Sequence, residues 1–542
     1  MNVAPTRLQT SLERWARATS PRRPSPFLVV VSGVIAALML LPLTYLLLRA
    51  SALGWEAVVL MFRPRTLLVL FNSIVLTAVV TSVTILLGVP LAWLTVRTDL
   101  PGRRVWSILT TLPLVIPSYV GAYALVAMMG PRGMLREWLA PLGIERLPEI
   151  YGFFGAAWAL TLFSYPYVLL NVRAALLRLD PAQEEAARSL GHTSWRTFWR
   201  VTLPSLRPAL AAGALLVALY VLSDFGAVSL LRFNSFTRAI YVQYQGSLDR
   251  SFAAVLSLML VAVTLLLLAA EHRTRGLARY YRSGTGVGRV ARPLALGRWT
   301  LPALLFCAGV VFAALVLPLG VILVWFGRAL RTGKEFLPLA SAALHSLQAA
   351  GLAALAITVL AFPVVYLAVR YPSRFSSLAE RASYVGHALP GIVVALSLVF
   401  FGANFLTPLY QTLPMLVFAY VVLFLPQAQG SQRASLMQIN PRLEEAARSL
   451  GKTPLQTVRQ VTLPLLAPGL AAGTALVFLT TMKELPATLL LAPTGFTTLA
   501  IQIWSATEAA SYARASAPAL LLVAISALSL IFLIGREDRS AS

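Results

Sequence analysis

The chain reads as long apolar blocks separated by short polar ones. Apolar stretches of about 20 residues, enough to cross a bilayer as a helix, recur from end to end. The blocks 27–48, 252–270 and 303–326 are examples. Twelve spans are expected in two sets of six. The first set is 27–48, 68–96, 106–128, 153–178, 206–230 and 252–270. The second is 301–326, 343–369, 384–404, 413–432, 466–490 and 514–534. The pattern predicts an all-α, polytopic helical membrane protein. Residues 271–298, rich in Arg and Gly and without apolar periodicity, are expected to link the two sets. The expected organisation is a cytoplasmic tail at 1–26, a first transmembrane domain at 27–270 and the cytoplasmic linker at 271–298. A second transmembrane domain at 299–535 and a tail at 536–542 complete it.

The polar blocks carry the repeat most clearly. Asp180 to Pro204 and Asn440 to Pro464 match at a constant offset of 260 positions, and both sit between apolar spans. Gly88 to Arg97 parallels Ala361 to Arg370, and Ile116-Pro117 parallels Leu389-Pro390, at an offset of 273. Each set has an even number of spans, so both insert the same way up. The pseudo-twofold axis then runs along the membrane normal, which makes a pathway between two parallel six-helix repeats the natural architecture.

Composition agrees with a lipid-embedded chain: 58% of the 542 residues are hydrophobic and 12% are charged, against about a quarter in soluble domains. The net charge of +25 raises nucleic acid as a partner. The arginines, however, are confined to short loops between spans, which is the positive-inside pattern, so no nucleic acid is expected. With the N-terminus in the cytoplasm, the inner loops hold Arg97, Arg103, Arg104, both repeated stretches, the seven linker arginines, Arg536 and Arg539. Arg132, Arg136 and Arg232 fall outside, so the bias is strong but incomplete. The segment 27–48 follows five arginines, yet it is too long for a signal-peptide core and is expected to remain as the first helix. Cys307, the single cysteine, lies in an apolar run and reads as a small buried hydrophobe. No Ser/His/Asp set, Cys/His cluster or His-Glu-x-x-His appears, so neither a catalytic residue nor a stable metal site is expected.

Each repeated block predicts two short helices joined by a glycine turn. Asp180 and Asn440 suit the N-cap, with Pro181 and Pro441 at the first helical position. Glu184, Glu185, Glu444 and Glu445 fall near the positive N-terminal end. Gly191 and Gly451 suit a C′ position with positive φ, and Thr193 and Thr453 start the next helix. Ala186 and Leu190 share one face, and small Ala186 and Ala187 keep it narrow enough to enter a cleft. An amphipathic loop lying on headgroups is the plain alternative. Lipid does not dictate the same eight residues twice, whereas docking two copies of one partner does.

At these residues the chain resembles the permease subunits of binding-protein-dependent ABC importers. Their signature is Glu-Ala-Ala, three residues, Gly, nine residues, an aliphatic, one residue, then Leu-Pro. Glu185-Ala186-Ala187, Gly191 and Val201 to Leu203-Pro204 fit it, as do Glu445-Ala446-Ala447, Gly451 and Val461 to Leu463-Pro464. The resemblance implies that each block is a coupling helix docking into a groove on a cytoplasmic ATPase. It implies two fused permease halves on two copies of one ATPase, an extracytoplasmic binding protein as donor, and a place in the bacterial cytoplasmic membrane with both termini inside. No phosphate loop of the Gly-x-x-x-x-Gly-Lys-Ser/Thr type is present. ATP and Mg²⁺ would therefore belong to the partner, this chain would bind no cofactor, and it would not itself be an enzyme.

Within that family the fused form resembles the ferric-iron permeases, through Leu222 to Ala227 and Met482 to Phe496. Fused thiamine permeases come next, then polyamine and phosphonate systems. Asp224 and Glu484 are equivalent at the offset of 260 and lie about 27 Å into their spans at 1.5 Å per residue. Ionisable residues within spans are rare and usually functional. Two carboxylates suit a hard, highly charged cation, which makes the pair a candidate for the substrate pathway at an outer gate. The other reading is structural pairing, for example with Lys483 or with a basic surface of the binding protein. A secondary transporter with two parallel six-span halves is the rival from another class. It would not need a capped helix pair between spans four and five, and it should carry charges deep in its spans.

Overall fold

The computed structural model describes residues 24–143, 147–246, 251–275, 293–333 and 338–541. Most of the N-terminal tail and most of the linker expected from the sequence lie outside them. Among the described residues the structure is helical throughout, with no strand and one isolated parallel bridge between Thr98 and Leu294.

Helices occupy all twelve expected positions, but not as twelve equal rods. Among the described residues eight are long and apolar enough to cross a membrane, including Pro26–Ser51, Pro64–Arg97, Phe153–Arg178, Leu339–Arg370 and Leu413–Gln438. Two more positions are filled by bent pairs, and Gly391–Phe405 and Tyr512–Leu528 are shorter apolar helices.

The bends have local causes. The third position, expected as one span, turns by 90° between Arg103–Val115 and Ser118–Leu142. Pro117 lacks an N–H and forces Ile116 out of the helical region, to φ −80° and ψ 118°. Its counterpart Pro390 likewise sits extended, at φ −58° and ψ 144°, ahead of Gly391–Phe405. The fifth position is also broken. Arg207–Ser223 ends at Asp224, which is extended at φ −66° and ψ 124°, and the five-residue helix Gly226–Leu230 follows. In the second half, Leu463–Met482 ends before Glu484 and Pro486–Leu491 follows. Segments expected to be continuous at 206–230 and 466–490 are therefore helix, break and short helix.

The chain forms two compact units that cut across the sequence repeat. The smaller comprises the described residues of Met1–Leu41 together with Ala353–His387 and Val421–Val477. Val365, Tyr366, Leu436, Ile439 and Leu466 form an apolar core there, with Leu28, Phe362 and Leu470 packed against it. Buried amides join its helices: Gln432 donates to the Thr358 carbonyl (2.9 Å) and Gln429 to Ser383 (2.8 Å). With no water to compete, such bonds fix helix register.

The larger unit comprises the described residues of Pro42–Leu352, Ala388–Tyr420 and Phe478–Ser542. Pro64–Arg97 packs along Phe153–Arg178 and Arg207–Ser223. Tyr165, fully buried, donates to the Thr110 carbonyl (2.7 Å) and braces the turn before the Ile116-Pro117 break.

Candidate functional sites

The two repeated blocks fold alike, one within each compact unit. Pro181–Ser189 is capped by Asp180, whose Oδ1 accepts the Ala182 N–H (3.0 Å). Pro441–Ser449 is capped by Asn440 Oδ1 on the Arg442 N–H (3.0 Å). Both end in the same turn. Gly191 (φ 84°) donates to the Arg188 carbonyl and His192 to that of Ala187. Gly451 (φ 85°) donates to Arg448 and Lys452 to Ala447. This six-to-one and five-to-two pairing is a Schellman ending, and its C′ residue needs the left-handed conformation that glycine adopts without strain.

A second short helix follows in each block, and then a feature with no expectation from the sequence. Phe198–Thr202 and Val458–Thr462 are single π-helical turns. One extra residue per turn changes which side chain faces inward, a device often found at functional sites. Thr202 and Thr462 both lie in these turns and both face the preceding helix.

What they face is a buried carboxylate. Glu184 is 4% exposed and accepts the Thr202 hydroxyl at 2.9 Å. Arg97 Nη2 approaches it at 3.7 Å and Arg188 Nη2 at 3.4 Å. Glu444 is 5% exposed and accepts Thr462 (3.2 Å), Tyr366 (3.0 Å) and Arg370 Nε (3.0 Å). Arg97 also donates to the Leu179 carbonyl (3.3 Å) and Arg370 to that of Ile439 (3.1 Å). Each block is thus pinned to the end of a long helix by a buried ion pair at equivalent residues. The first glutamate of each pair is an internal anchor, while Glu185 and Glu445 are exposed.

The outward face is different in kind. Ala186 and Ala446 are exposed, and Leu190 and Leu450 are 81% and 84% exposed at the tips of the turns. Ala187 and Ala447 point inward and are buried. Beyond the glycine, Trp195 in one block and Leu455 in the other are exposed as well. Small and aliphatic side chains thus stand beside Glu185 or Glu445 on a surface made from one helical turn and its cap.

Asp224 and Glu484 both lie in the larger unit and do the same local job. Asp224 Oδ1 accepts the N–H groups of Ala227 (2.9 Å) and Val228 (3.3 Å), and its Oδ2 accepts the Ser118 hydroxyl. Glu484 accepts the N–H groups of Ala487 (3.0 Å) and Thr488 (3.1 Å). Each carboxylate therefore caps the short helix that follows its break. The position matching Ser118 is Gly391, where an added Cβ would lie 2.7 Å from Glu484 Oε1. A longer acid is accommodated by a smaller partner. Lys483 does not take up the acid next to it; its ammonium donates to the Leu114 carbonyl at 3.0 Å, at the end of the helix preceding the Ile116-Pro117 break.

The segments after the two acids touch. Phe225 stacks on Trp504 with centroids 5.0 Å apart and meets Tyr241 at 4.8 Å. A Cβ on Gly226 would come within 3.3 Å of Leu485. Tyr119, on the helix after the first break, is buried with no hydrogen-bond partner for its hydroxyl. No group of three or more His, Cys, Asp or Glu is placed to hold a metal among the described residues.

Two repeated sets of apolar helices, broken spans and twin capped loops mark a polytopic membrane protein. The comparisons give the family. The profile of the binding-protein-dependent transport system inner membrane component family matches residues 84–279 and again 364–536. The chain belongs to that family and carries its domain twice, as a multi-pass permease of the inner membrane. It is 37% identical over 518 residues to an Fe(3+)-transport system permease protein of Haemophilus influenzae, covering 95% of this chain and 99% of the relative. A ferric transport system permease protein of Actinobacillus pleuropneumoniae is 26% identical over 490 residues, or 86% of this chain and 70% of that one. A sulfate transport system permease protein of Escherichia coli is 31% identical over 262 residues, which is 46% of this chain but 93% of the relative. That relative corresponds to one half of the present chain.

Proposed function

We propose that this chain is the membrane permease of an ATP-driven importer that moves ferric iron, delivered by an extracytoplasmic binding protein, into the cytoplasm. The observation that carries the substrate is similarity to an Fe(3+) permease along nearly the whole of both chains. The sulfate relative matches only one half, so its substrate has weaker support. The blocks 180–204 and 440–464 are the coupling loops, with Leu190, Leu450, Glu185 and Glu445 on the docking face. Their near-identity fits two copies of one ATPase, which would bind ATP and Mg²⁺, while this chain binds no cofactor. Both termini lie in the cytoplasm in this reading.

The cycle follows from these parts. Closure of the ATPase dimer moves the loops, and the anchors at Arg97 and Arg370 carry that movement into the long helices. The broken spans then rearrange to admit the substrate and later release it inward. Reconstituted with its ATPase and binding protein, the permease should accumulate radiolabelled ferric iron only when ATP is present. Excess thiamine, putrescine, phosphonate or sulfate should not compete. ATP-dependent uptake of one of those solutes instead of iron would overturn the assignment.

Asp224 and Glu484 sit on the proposed pathway as caps that hold the gate rather than as iron ligands, because their oxygens already accept N–H groups. Asp224→Asn with Glu484→Gln keeps an acceptor at each cap and should hold iron uptake within about 3-fold of wild type. Asp224→Ala with Glu484→Ala removes both caps and should cost about 10-fold or more. A collapse of uptake in the amide pair, with the fold intact, would show that the charges themselves meet the cation.

A further inference from the structure

We propose that the helix Pro64–Arg97 is a lever joining the first coupling loop to the Asp224 break, with Arg97 and Ser73 as positioning residues at its two ends. The inference rests on the reading of the loop as an ATPase dock and adds the route by which the dock moves the gate.

One end of the lever is fixed to the loop. Arg97 is 4% exposed, reaches the Leu179 carbonyl and lies beside Glu184, which Thr202 holds from the π turn. The end of the linker adds a further hold, since the Leu294 N–H donates to the Arg97 carbonyl at 2.8 Å. A loop displacement therefore acts on Arg97 through its guanidinium, which meets both the Leu179 carbonyl and the Glu184 carboxylate.

The other end is fixed to the break. Ser73 is buried, and its hydroxyl oxygen accepts the N–H of Phe236 at 3.0 Å. Asn72 donates to the Asn234 carbonyl at 3.3 Å. From there Thr237 donates to the backbone carbonyl of Asp224 at 2.6 Å. Three hydrogen bonds thus lead from the helix to the residue where the fifth span breaks. Between Ser73 and Arg97 the helix runs unbroken through Pro90, a length of about 36 Å.

Buried polar bonds make this element slide poorly. Sliding it by one residue would strand several donors and acceptors away from water, at a cost paid for each of them. Moving it as a body keeps them all. The same holds recur at equivalent residues of the second half. Arg370 meets Glu444, and separately the Leu499 N–H donates to Ser346 Oγ at 2.9 Å while His345 Nδ1 lies 3.1 Å from the Thr497 carbonyl oxygen. Asn72 and Ser73 correspond to His345 and Ser346 at the same offset of 273 that relates Arg97 to Arg370. Incidental packing would not repeat the Arg–Glu and Ser–N–H holds at matched positions; the link made by Thr237 belongs to the first half, since Ala500 follows Leu499.

A double-mutant cycle tests the lever in the assembled complex. Ser73→Ala, Glu184→Gln and the double variant are reconstituted with ATPase and binding protein, and three quantities are read: ATPase retained, ATP hydrolysis, and iron imported per ATP. Each single variant should retain the ATPase and lower import per ATP by about 5- to 10-fold, the low end of ordinary site–site coupling. The double variant should fall no further than the worse single, because both cut one transmission line. Multiplied losses in the double variant, or undiminished import in either single, would overturn the proposal. So would loss of ATPase binding in Glu184→Gln alone, since the carboxylate would then be part of the dock. If Glu184→Gln yields no folded permease, Thr202→Val removes one hold on the same carboxylate and takes its place in the cycle. Failure of the wild-type chain to retain any ATPase would instead sink the docking assignment beneath it.

Discussion

Arg370→Met should destabilise the second loop by about 3–5 kcal/mol, the usual consequence of leaving one partner of a buried ion pair alone. Arg370 and Glu444 side chains are 9% and 7% exposed. Without the guanidinium, the carboxylate keeps the hydroxyls of Tyr366 and Thr462 and the more distant attraction of Arg448. Its closest cation is gone, and the Ile439 carbonyl loses its donor as well. The purified permease should melt at a lower temperature and import should fall, while the ATPase still hydrolyses ATP. Arg370→Met combined with Glu444→Met should recover much of the lost melting temperature, because no lone charge remains. Import should stay low, since an apolar contact does not reproduce the directed anchor. Equal melting temperatures for the single and double variants would mean that the pair is not the anchor described here.

Leu190→Asp combined with Leu450→Asp should lower ATPase affinity by about 100-fold or more, as expected when apolar anchors of an interface are replaced by charge. Both leucines are more than four-fifths exposed, so the permease itself should fold and melt normally. The defect should appear as loss of ATPase on co-purification and as iron uptake at background. An intact complex carrying both substitutions would move the dock away from the glycine turns.

Much of the architecture is legible in the chain because hydropathy and the internal repeat are strong, local signals. The spans, the loop caps at Asp180 and Asn440 and the glycine turns follow from them directly. Other features involve residues far apart in sequence. Arg97 alone reads as one more cytoplasmic arginine, and Glu184 as an acid near a helix start; only folding shows that they meet. The π turns at 198–202 and 458–462 leave no mark in composition, since a one-residue excess needs no special residue type. Ile116-Pro117 and Leu389-Pro390 are visible as a repeated dipeptide, yet proline also sits inside unbroken helices here, at Pro90 and Pro166. Its presence therefore does not by itself mark a 90° turn. Asp224 and Glu484 stand out as charges within spans, but their service as caps depends on breaks that hydropathy reads through.

The most direct measurement is cross-linking from single cysteines at the loop tips. Cys307 is the only native cysteine and is fully buried, so Leu190→Cys or Leu450→Cys adds one accessible thiol to a nearly silent background. Each variant should trap one subunit of the same cytoplasmic ATPase, and the two substitutions together should trap two per permease. Labelling of either thiol by a membrane-impermeant reagent from the outer face, or capture of no ATPase from both positions, would contradict the account.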